Sequence, residues 1–391
     1  MVLDLNYGNG VAGAQRFSRP ALEARLMRTL TQSAGIKMFG LRRIGKTTLR
    51  LYATEQVRHM GRPCICIDGQ GMHSLGDLLG SLHAAMPGER NFMNRALTLV
   101  SSAPARTALE AVFSGMGQEE TALSAYWQMV SSAIRAALRG DGPKPVLMID
   151  EFTYLISNMI ARFGPNGRDD ADRLLASLRE WRGDGMTMLL TGSIGLTGLA
   201  RTHRLTLEHM NDLQPFTVPE LSLEEARRFL REATEATPPG SWTEDHSDEF
   251  LRQVGIFYPA FLVRGLLEIG IDDPPDPAGF AAIFSERVRP DLHADFLNQF
   301  DRRFSAYAGL PNDERVKLIL PALKAAMATD GGCDHDSIPC DAPFTRIDLS
   351  VALAMLAEDG FVGFTEDADG IRRWKPASGL ARLWWRRARL A

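Results

Sequence analysis

An α/β fold, a parallel sheet sandwiched between helices, follows from three features of this 391-residue sequence. Short, wholly apolar segments alternate with helical ones over the first half of the chain. A glycine-rich turn joins one apolar segment directly to a helix. Another apolar segment closes on two adjacent carboxylates. Beyond about residue 218 the pattern changes to helices that end in a hairpin.

The elements follow in order. Residues 17–33 form an amphipathic helix, with Ser18 as its cap and Pro20 in its first turn. Residues 36–39 are a short apolar strand that runs into the glycine-rich turn, and residues 47–59 are helical. Residues 63–68 (PCICID) are a second strand, followed by a helix at 75–86. Residues 87–118 carry irregular stretches (PGERNF, SSAPAR, SGMGQ) and read as an insertion or an extended helical linker. A helix at 123–138 and a turn at Asp141-Gly142-Pro143 lead to a third strand, 146–149. A helix at 169–181 leads to a fourth, 186–190. Ser222 with Glu225 three residues later fits a capping box opening the helix 221–234. Helices near 245–254 and 259–269 lie between the breakers at 238–240 and 272–277. Helices at 312–328 and 345–359, then strands at 361–365 and 372–375 around Asp369-Gly370, suggest a winged helix. The implied domains are 1–218, 219–305 and 306–391.

Composition narrows the class. Apolar residues make up 45% and charged residues 24%, as in ordinary globular proteins. No apolar run reaches the roughly 18–20 residues a bilayer span needs. The N-terminus has neither a basic start nor an apolar stretch. These features predict a cytoplasmic protein with no membrane partner. The net charge of −4 excludes a global basic field for nucleic acid, although residues 382–389 are locally basic. Cys64 and Cys66 alternate along a buried strand and read as packing residues. Cys333 and Cys340 bracket His335; metal binding and packing are both open there, and no second ligand pair of finger-like spacing accompanies them.

The turn GLRRIGKT at residues 40–47 matches G-x-x-x-x-G-K-[ST] in full. Glycines at 40 and 45 let successive N–H groups face phosphate oxygens. The helix that begins near Lys46 adds the partial positive charge of its N-terminus. Lys46 supplies a point charge for the β- and γ-phosphates, and the Thr47 hydroxyl is a Mg²⁺ ligand. Gly40, Arg42, Arg43, Gly45, Lys46, Thr47 and Thr48 are the nucleotide positions of this segment. For Arg42 and Arg43, contact with phosphate and a solvated or locally paired state are equally open.

The strand 146–149 ends in Asp150-Glu151. Ligands of open α/β sheets bind at the carboxyl edge, so Asp150 is the second Mg²⁺ residue and Glu151 orients the attacking water. Lys46 and Glu151 are the main catalytic candidates. Ser193, with Thr191 second, ends the neighbouring strand and is a candidate contact to γ-phosphate or water. Arg204 and Arg201 are candidates to stabilise developing charge, against the reading that both are surface residues.

Four blocks carry a family resemblance: Phe17-Ser18-Arg19 with Glu23, FGLRRIGKTTL at 39–49, MIDEFTYL at 148–155, and LTGSIG at 190–195. They resemble the archaeal-type ATPases of the STAND branch of AAA-like P-loop NTPases. LQPFTVPELS at 213–222 is similar to that family's link into a helical lid. Gly255 with Tyr258-Pro259 resembles a lid motif whose proline packs near adenine. The resemblance spans nearly the whole chain outside 87–118. It implies an ATPase with ATP and Mg²⁺ as cofactors, a sheet with the loop strand at its centre, a helical lid and a winged helix. It adds Arg19 and Pro259 to the nucleotide residues. It also implies a slow molecular switch in which nucleotide state sets the angle between core and lid.

The expected partner is a protein or a second copy of the chain. The alternative is DNA held by the winged helix, through Arg372, Arg373 and Lys375 with Arg386, Arg387 and Arg389. Against DNA, the helix 345–359 carries Asp348, Glu358 and Asp359 beside Arg346, and an acidic helix reads a major groove poorly.

Overall fold

The computed structural model describes residues 3–5, 10–85, 91–113, 120–238, 240–329, 331–366 and 368–388. They form two compact units. One comprises Ala21–Phe39 and Tyr52–Phe216; the other comprises Met1–Pro20, Gly40–Leu51 and Thr217–Ala391.

The first unit is the α/β sheet. Its elements are α1 (Pro20–Gln32), β1 (Gly35–Phe39), α2 (Lys46–His59), β2 (Cys64–Asp68), α3 (Leu75–Ala84), α4 (Asn91–Leu99), α5 (Ala103–Phe113), α6 (Glu120–Arg139), β3 (Val146–Asp150), α7 (Phe152–Phe163), α8 (Pro165–Gly183), β4 (Thr187–Gly192), α9 (Leu196–His203) and β5 (Gln214–Pro215). The first turns of α2 group with the other unit. The strand order is β2-β3-β4-β1-β5, and every pairing is parallel. Every residue of β3 and β4 is buried, which is what helices on both faces of a parallel sheet require.

One detail differs from expectation. The strand that precedes the loop, β1, lies between β4 and β5, so β4 holds the middle position. The described parts of 87–118 are the helices α4 and α5, and they place Ala96, Val100, Ala105 and Leu109 in the core. Deeper in that core, α6 and α8 exchange matched hydrogen bonds. The Trp127 indole donates to Ser177 Oγ at 2.9 Å and the Trp181 indole to Ser131 Oγ at 3.1 Å. Both indoles thus pack apolar surface without an orphaned N–H.

The second unit is mainly helical. It contains α10 (Leu223–Thr234), α11 (Glu244–Val254), α12 (Pro259–Ile269), α13 (Phe280–Ile283), α14 (Arg289–Ala306), α15 (Leu320–Met327), β6 (Cys333–Asp334), α16 (Arg346–Glu358), β7 (Val362–Glu366), β8 (Arg372–Pro376) and α17 (Gly379–Arg387). A π-turn at Phe284–Val288 joins α13 to α14, and another at Arg315–Ile319 leads into α15. The capping box of Ser222 and Glu225 is present at α10. The three strands form an antiparallel sheet in the order β6-β8-β7, so the expected terminal hairpin exists and gains a short third strand. Trp384 of α17 packs on Phe300 and Phe361, with ring centroids 5.6 and 4.9 Å away. Burying such rings supplies about 1.5–3 kcal/mol each. Leu41 and Ile44, from the glycine-rich turn, belong to this same core.

Among the described residues no helix is long and apolar enough to cross a membrane.

Candidate functional site

The parallel arrangement of β1, β4 and β3 sets where the chain leaves each strand. Phe39 is in register with Gly192, and Ile149 with Leu190. The carboxyl ends of the three strands therefore open on one edge of the sheet. The glycine-rich turn begins at the residue after β1, the acidic pair ends β3, and Ser193 follows β4.

The turn itself is built in the helical unit. Gly40 and Gly45 have φ values of 147° and 102°, where a side chain would strain the backbone. Arg43 also sits in the left-handed region, at φ 63°. Lys46, only 6% exposed, donates from Nζ to the carbonyls of Gly40 and Leu41 at 3.0 and 2.7 Å. The lysine thus closes the turn on itself and holds its ammonium inside it. Thr47 and Thr48 are half-buried in the first turn of α2. Thr48 Oγ1 accepts a hydrogen bond from the Val11 N–H at 3.3 Å. A Cβ at Gly10 would lie 2.6 Å from Thr47 Cγ2, so the N-terminal strand of chain passes over these threonines at a distance only glycine permits.

Two helices of the same unit grip the turn. The phenol of Tyr258, wholly buried at the cap of α12, donates to the Arg42 carbonyl. From α14, Gln299 Oε1 accepts the Arg42 N–H at 3.2 Å and Asp295 pairs with Arg43 at 2.9 Å. Asp295 and Gln299 are one helical turn apart, so one face of α14 takes both contacts. The next residue on that face, Arg303, is buried and donates to the Asp359 carbonyl at 3.2 Å, at the end of α16. Burial pushes its guanidinium below its ordinary value, with Asp359 and the Tyr258 and Tyr307 phenols opposing. Gly360 completes the line: a Cβ there would stand 3.1 Å from Leu41.

Pro259 takes the first helical position of α12 and is half-buried beside Tyr258. Arg19 is 9% exposed and is engaged by the start of α10. It makes two bonds to the Glu225 carboxylate, at 2.9 and 3.0 Å, and donates to the carbonyls of Pro219 and Glu220 at 2.8 and 3.1 Å. Arginine is suited to this planar, forked geometry.

The acidic pair lies in the sheet unit. Asp150 is 8% exposed; its Oδ1 accepts the hydroxyl of Thr191 and the N–H of Glu151. Glu151 has φ 48°, a left-handed turn that a non-glycine residue adopts at some cost and that recurs at functional positions. Its Oε2 accepts both the N–H and the hydroxyl of Ser193, each at 2.8 Å. The structure therefore brings Glu151, Ser193, Asp150 and Thr191 together at the ends of β3 and β4. Arg204 is elsewhere: it is exposed, in a left-handed turn at the far end of α9 from Ser193, about 12 Å along an eight-residue helix.

The donors present suit a magnesium–phosphate group. In the helical unit Lys46 is held among backbone groups of a turn with two glycines at positive φ, and the Thr47 hydroxyl is a hard oxygen donor of the kind Mg²⁺ takes; in the sheet unit the Asp150 carboxylate is another. Among the described residues no three His, Cys, Asp or Glu side chains gather as a metal cluster. Around His335, Cys333 donates to the Trp374 carbonyl, Cys340 to the Thr345 carbonyl, and His335 contacts Ser350.

Asp295, Gln299, Gly10 and the role of Tyr258 escaped the sequence reading. Arg43 and Asp295 are 252 positions apart, and Arg42 and Gln299 are 257 apart. No local pattern signals such contacts.

No family model matches the chain, and no curated protein matches it. Among solved structures, the fold is similar to that of a Walker-type ATPase of Pyrococcus abyssi, with TM-score 0.51 and 16% identity over 98% of this chain and 99% of that one. Also similar are the ADP form of the Aeropyrum pernix ORC2 protein, with TM-score 0.47, 16% identity and 99% and 97% coverage, and the Aeropyrum pernix ORC1 protein in complex with DNA, with TM-score 0.43, 15% identity and 95% and 93% coverage. The first of these likenesses concerns fold alone: a parallel α/β sheet followed by a helical region.

Proposed function

We propose that this chain binds and slowly hydrolyses ATP with Mg²⁺, as a nucleotide-dependent switch of the STAND or AAA-like kind. The observation that carries the reading is the complete G-x-x-x-x-G-K-T turn following an interior parallel strand, on the edge where β3 ends in Asp150-Glu151. The fold likeness is consistent with it.

In this reading, the N–H groups of the turn and Lys46 take the phosphates. Thr47 and Asp150 hold Mg²⁺, which when bound offsets charge on the β- and γ-oxygens. Glu151 orients the attacking water, and Ser193 positions Glu151. Phosphoryl transfer asks for positioning and charge stabilisation rather than covalent chemistry. Both donors of Ser193 engage Oε2 of Glu151, which fixes the carboxylate and leaves Oε1 to orient the water. Arg19 acts by fixing the start of α10, and Arg204 is left with no assigned role in hydrolysis.

The switch output runs through the Arg42 backbone. Its N–H and carbonyl are held by α14 and by Tyr258, so phosphate contacts at residues 40–45 compete with or reinforce the helical unit. The winged-helix reading of 306–391 remains part of this proposal, with a protein partner. Ile347, Phe364 and Ile371 are 77%, 46% and 46% exposed there. Arg346, the basic residue of α16, is committed to the carbonyls of His335, Asp336 and Ile338, which weakens the DNA alternative.

The test is phosphate release by Glu151→Gln. The variant should bind ATP as the wild type does and lose about a hundredfold or more in turnover, the scale of a general base. Normal turnover would remove Glu151 from the water-orienting role.

A further inference from the structure

A cavity of about 720 Å³ opens between α14 and α17 in the helical unit. That volume lies inside the range typical of small-molecule sites, roughly 300–1,000 Å³. Its apolar floor combines Pro290, Ala294, Leu297 and Ala388 with the edge of Trp384. Its walls carry three nitrogenous side chains: Arg289, His293 and Arg387.

The charge in this cavity is poorly compensated. Arg387 is exposed, and neither it nor His293 has a carboxylate partner among the described residues. Arg289 is steadied by neutral oxygens, donating to Gln253 Oε1 at 2.7 Å and the Gln253 carbonyl at 3.0 Å. Among the described residues Asp301 is the one carboxylate lining the cavity, and it accepts the Trp384 indole N–H at 2.7 Å. Two arginines therefore line the cavity against one carboxylate among the described residues. Burial, then the charges of Arg387 and Arg289, hold the His293 imidazole below its ordinary value, as expected where positive potential is unrelieved.

We propose that this groove is a binding site for a small organic phosphate. Two guanidiniums and an imidazole match a tetrahedral dianion, and the apolar floor takes a compact ring or alkyl group attached to it. Inorganic phosphate satisfies the walls alone; an aryl phosphate satisfies walls and floor. The groove is carried by the α14 residues 289, 293 and 297, whereas Asp295 and Gln299 of the same helix hold the glycine-rich turn. A ligand here is thus placed on the helix that grips residues 42 and 43. The site is separate from the proposed ATP residues and does not depend on that reading.

The test is an NMR titration of His293 in the full chain, assigned by the resonance lost in His293→Gln among the eight histidines. Phenyl phosphate and inorganic phosphate are the probes, with chloride at matched ionic strength as reference. Phosphate in the groove offsets the arginine charges, so the imidazole pKa should rise saturably, with tighter apparent binding for phenyl phosphate. Arg387→Glu, at an exposed residue, should weaken binding at least tenfold, and Asn298→Asp should weaken it as a second, independently folded check. The proposal is overturned if no saturable shift occurs, if chloride reproduces it, or if both variants retain it. Equal affinity for the two probes would remove the apolar floor from the proposal.

Discussion

Replacing Tyr258 by phenylalanine removes one hydroxyl and nothing else of the helical unit's packing. The ring stays edge-on to Phe296, with centroids 4.9 Å apart, and beside Phe261 at 5.8 Å. What is lost is the donor to the Arg42 carbonyl. A net hydrogen bond is worth about 0.5–1.5 kcal/mol, and a buried acceptor left alone costs about 1–3 kcal/mol. The contact is only partly buried, so the lower figure applies, about 1 kcal/mol. In a unit of this size that corresponds to a fall in melting temperature of about 2–4 °C. The same bond fixes the backbone that presents N–H groups to phosphate, so ATP affinity should fall by up to about fivefold, the equilibrium equivalent of 1 kcal/mol. Thermal denaturation of the ligand-free chain and a titration with ATP read the two effects separately. An unchanged melting temperature would mean the phenol does not hold the turn. A lowered melting temperature with unchanged ATP affinity would refute the idea that the helical unit organises the turn for nucleotide.

Other consequences can be checked alongside. Gly10→Ala drives a methyl into Thr47, 2.6 Å from its Cγ2; overpacking of this kind costs about 1–3 kcal/mol, and the Mg²⁺-dependent part of ATP affinity should weaken about tenfold in a titration with and without the metal. Burial raises the Glu220 carboxyl above its ordinary 4.5, against the opposing N–H groups of Gly379 and Leu380. The folded chain then binds more protons than the unfolded chain between the ordinary and raised values, so this residue's contribution falls as pH rises through that window. Glu220→Gln should therefore melt higher than the wild type at pH 7 and converge with it near pH 4, as thermal scans at the two pH values would show.

Much of the sheet unit was legible because its signals are local. Short apolar runs set between turn signals and alternating with helical segments fit strands buried on both faces, and a full phosphate-loop spacing needs a strand before it and a helix after it. The acidic end of β3 and the polar end of β4 followed from the same logic, and Ser193 does meet Glu151. Other elements left no such trace. The helix α7 starts at Phe152 immediately after a left-handed Glu151, where neither glycine nor a capping side chain announces it. The strand β5 is two residues long and exists only by pairing with β1. The long α14 begins after a π-turn and carries Pro290, so its periodicity is broken where it matters. Its grip on residues 42 and 43 depends on chain segments about 250 positions apart, which only tertiary packing brings together.

The central claim is that residues 40–47 form a site for ATP and magnesium with Lys46 inside it. Isothermal calorimetry of ATP with Mg²⁺ against the wild type and Lys46→Ala tests it most directly. A saturable heat with about one ATP per chain, abolished in the Lys46→Ala chain while its melting curve stays cooperative, is the predicted result. No heat with the wild type, or equal binding by both chains, would contradict it.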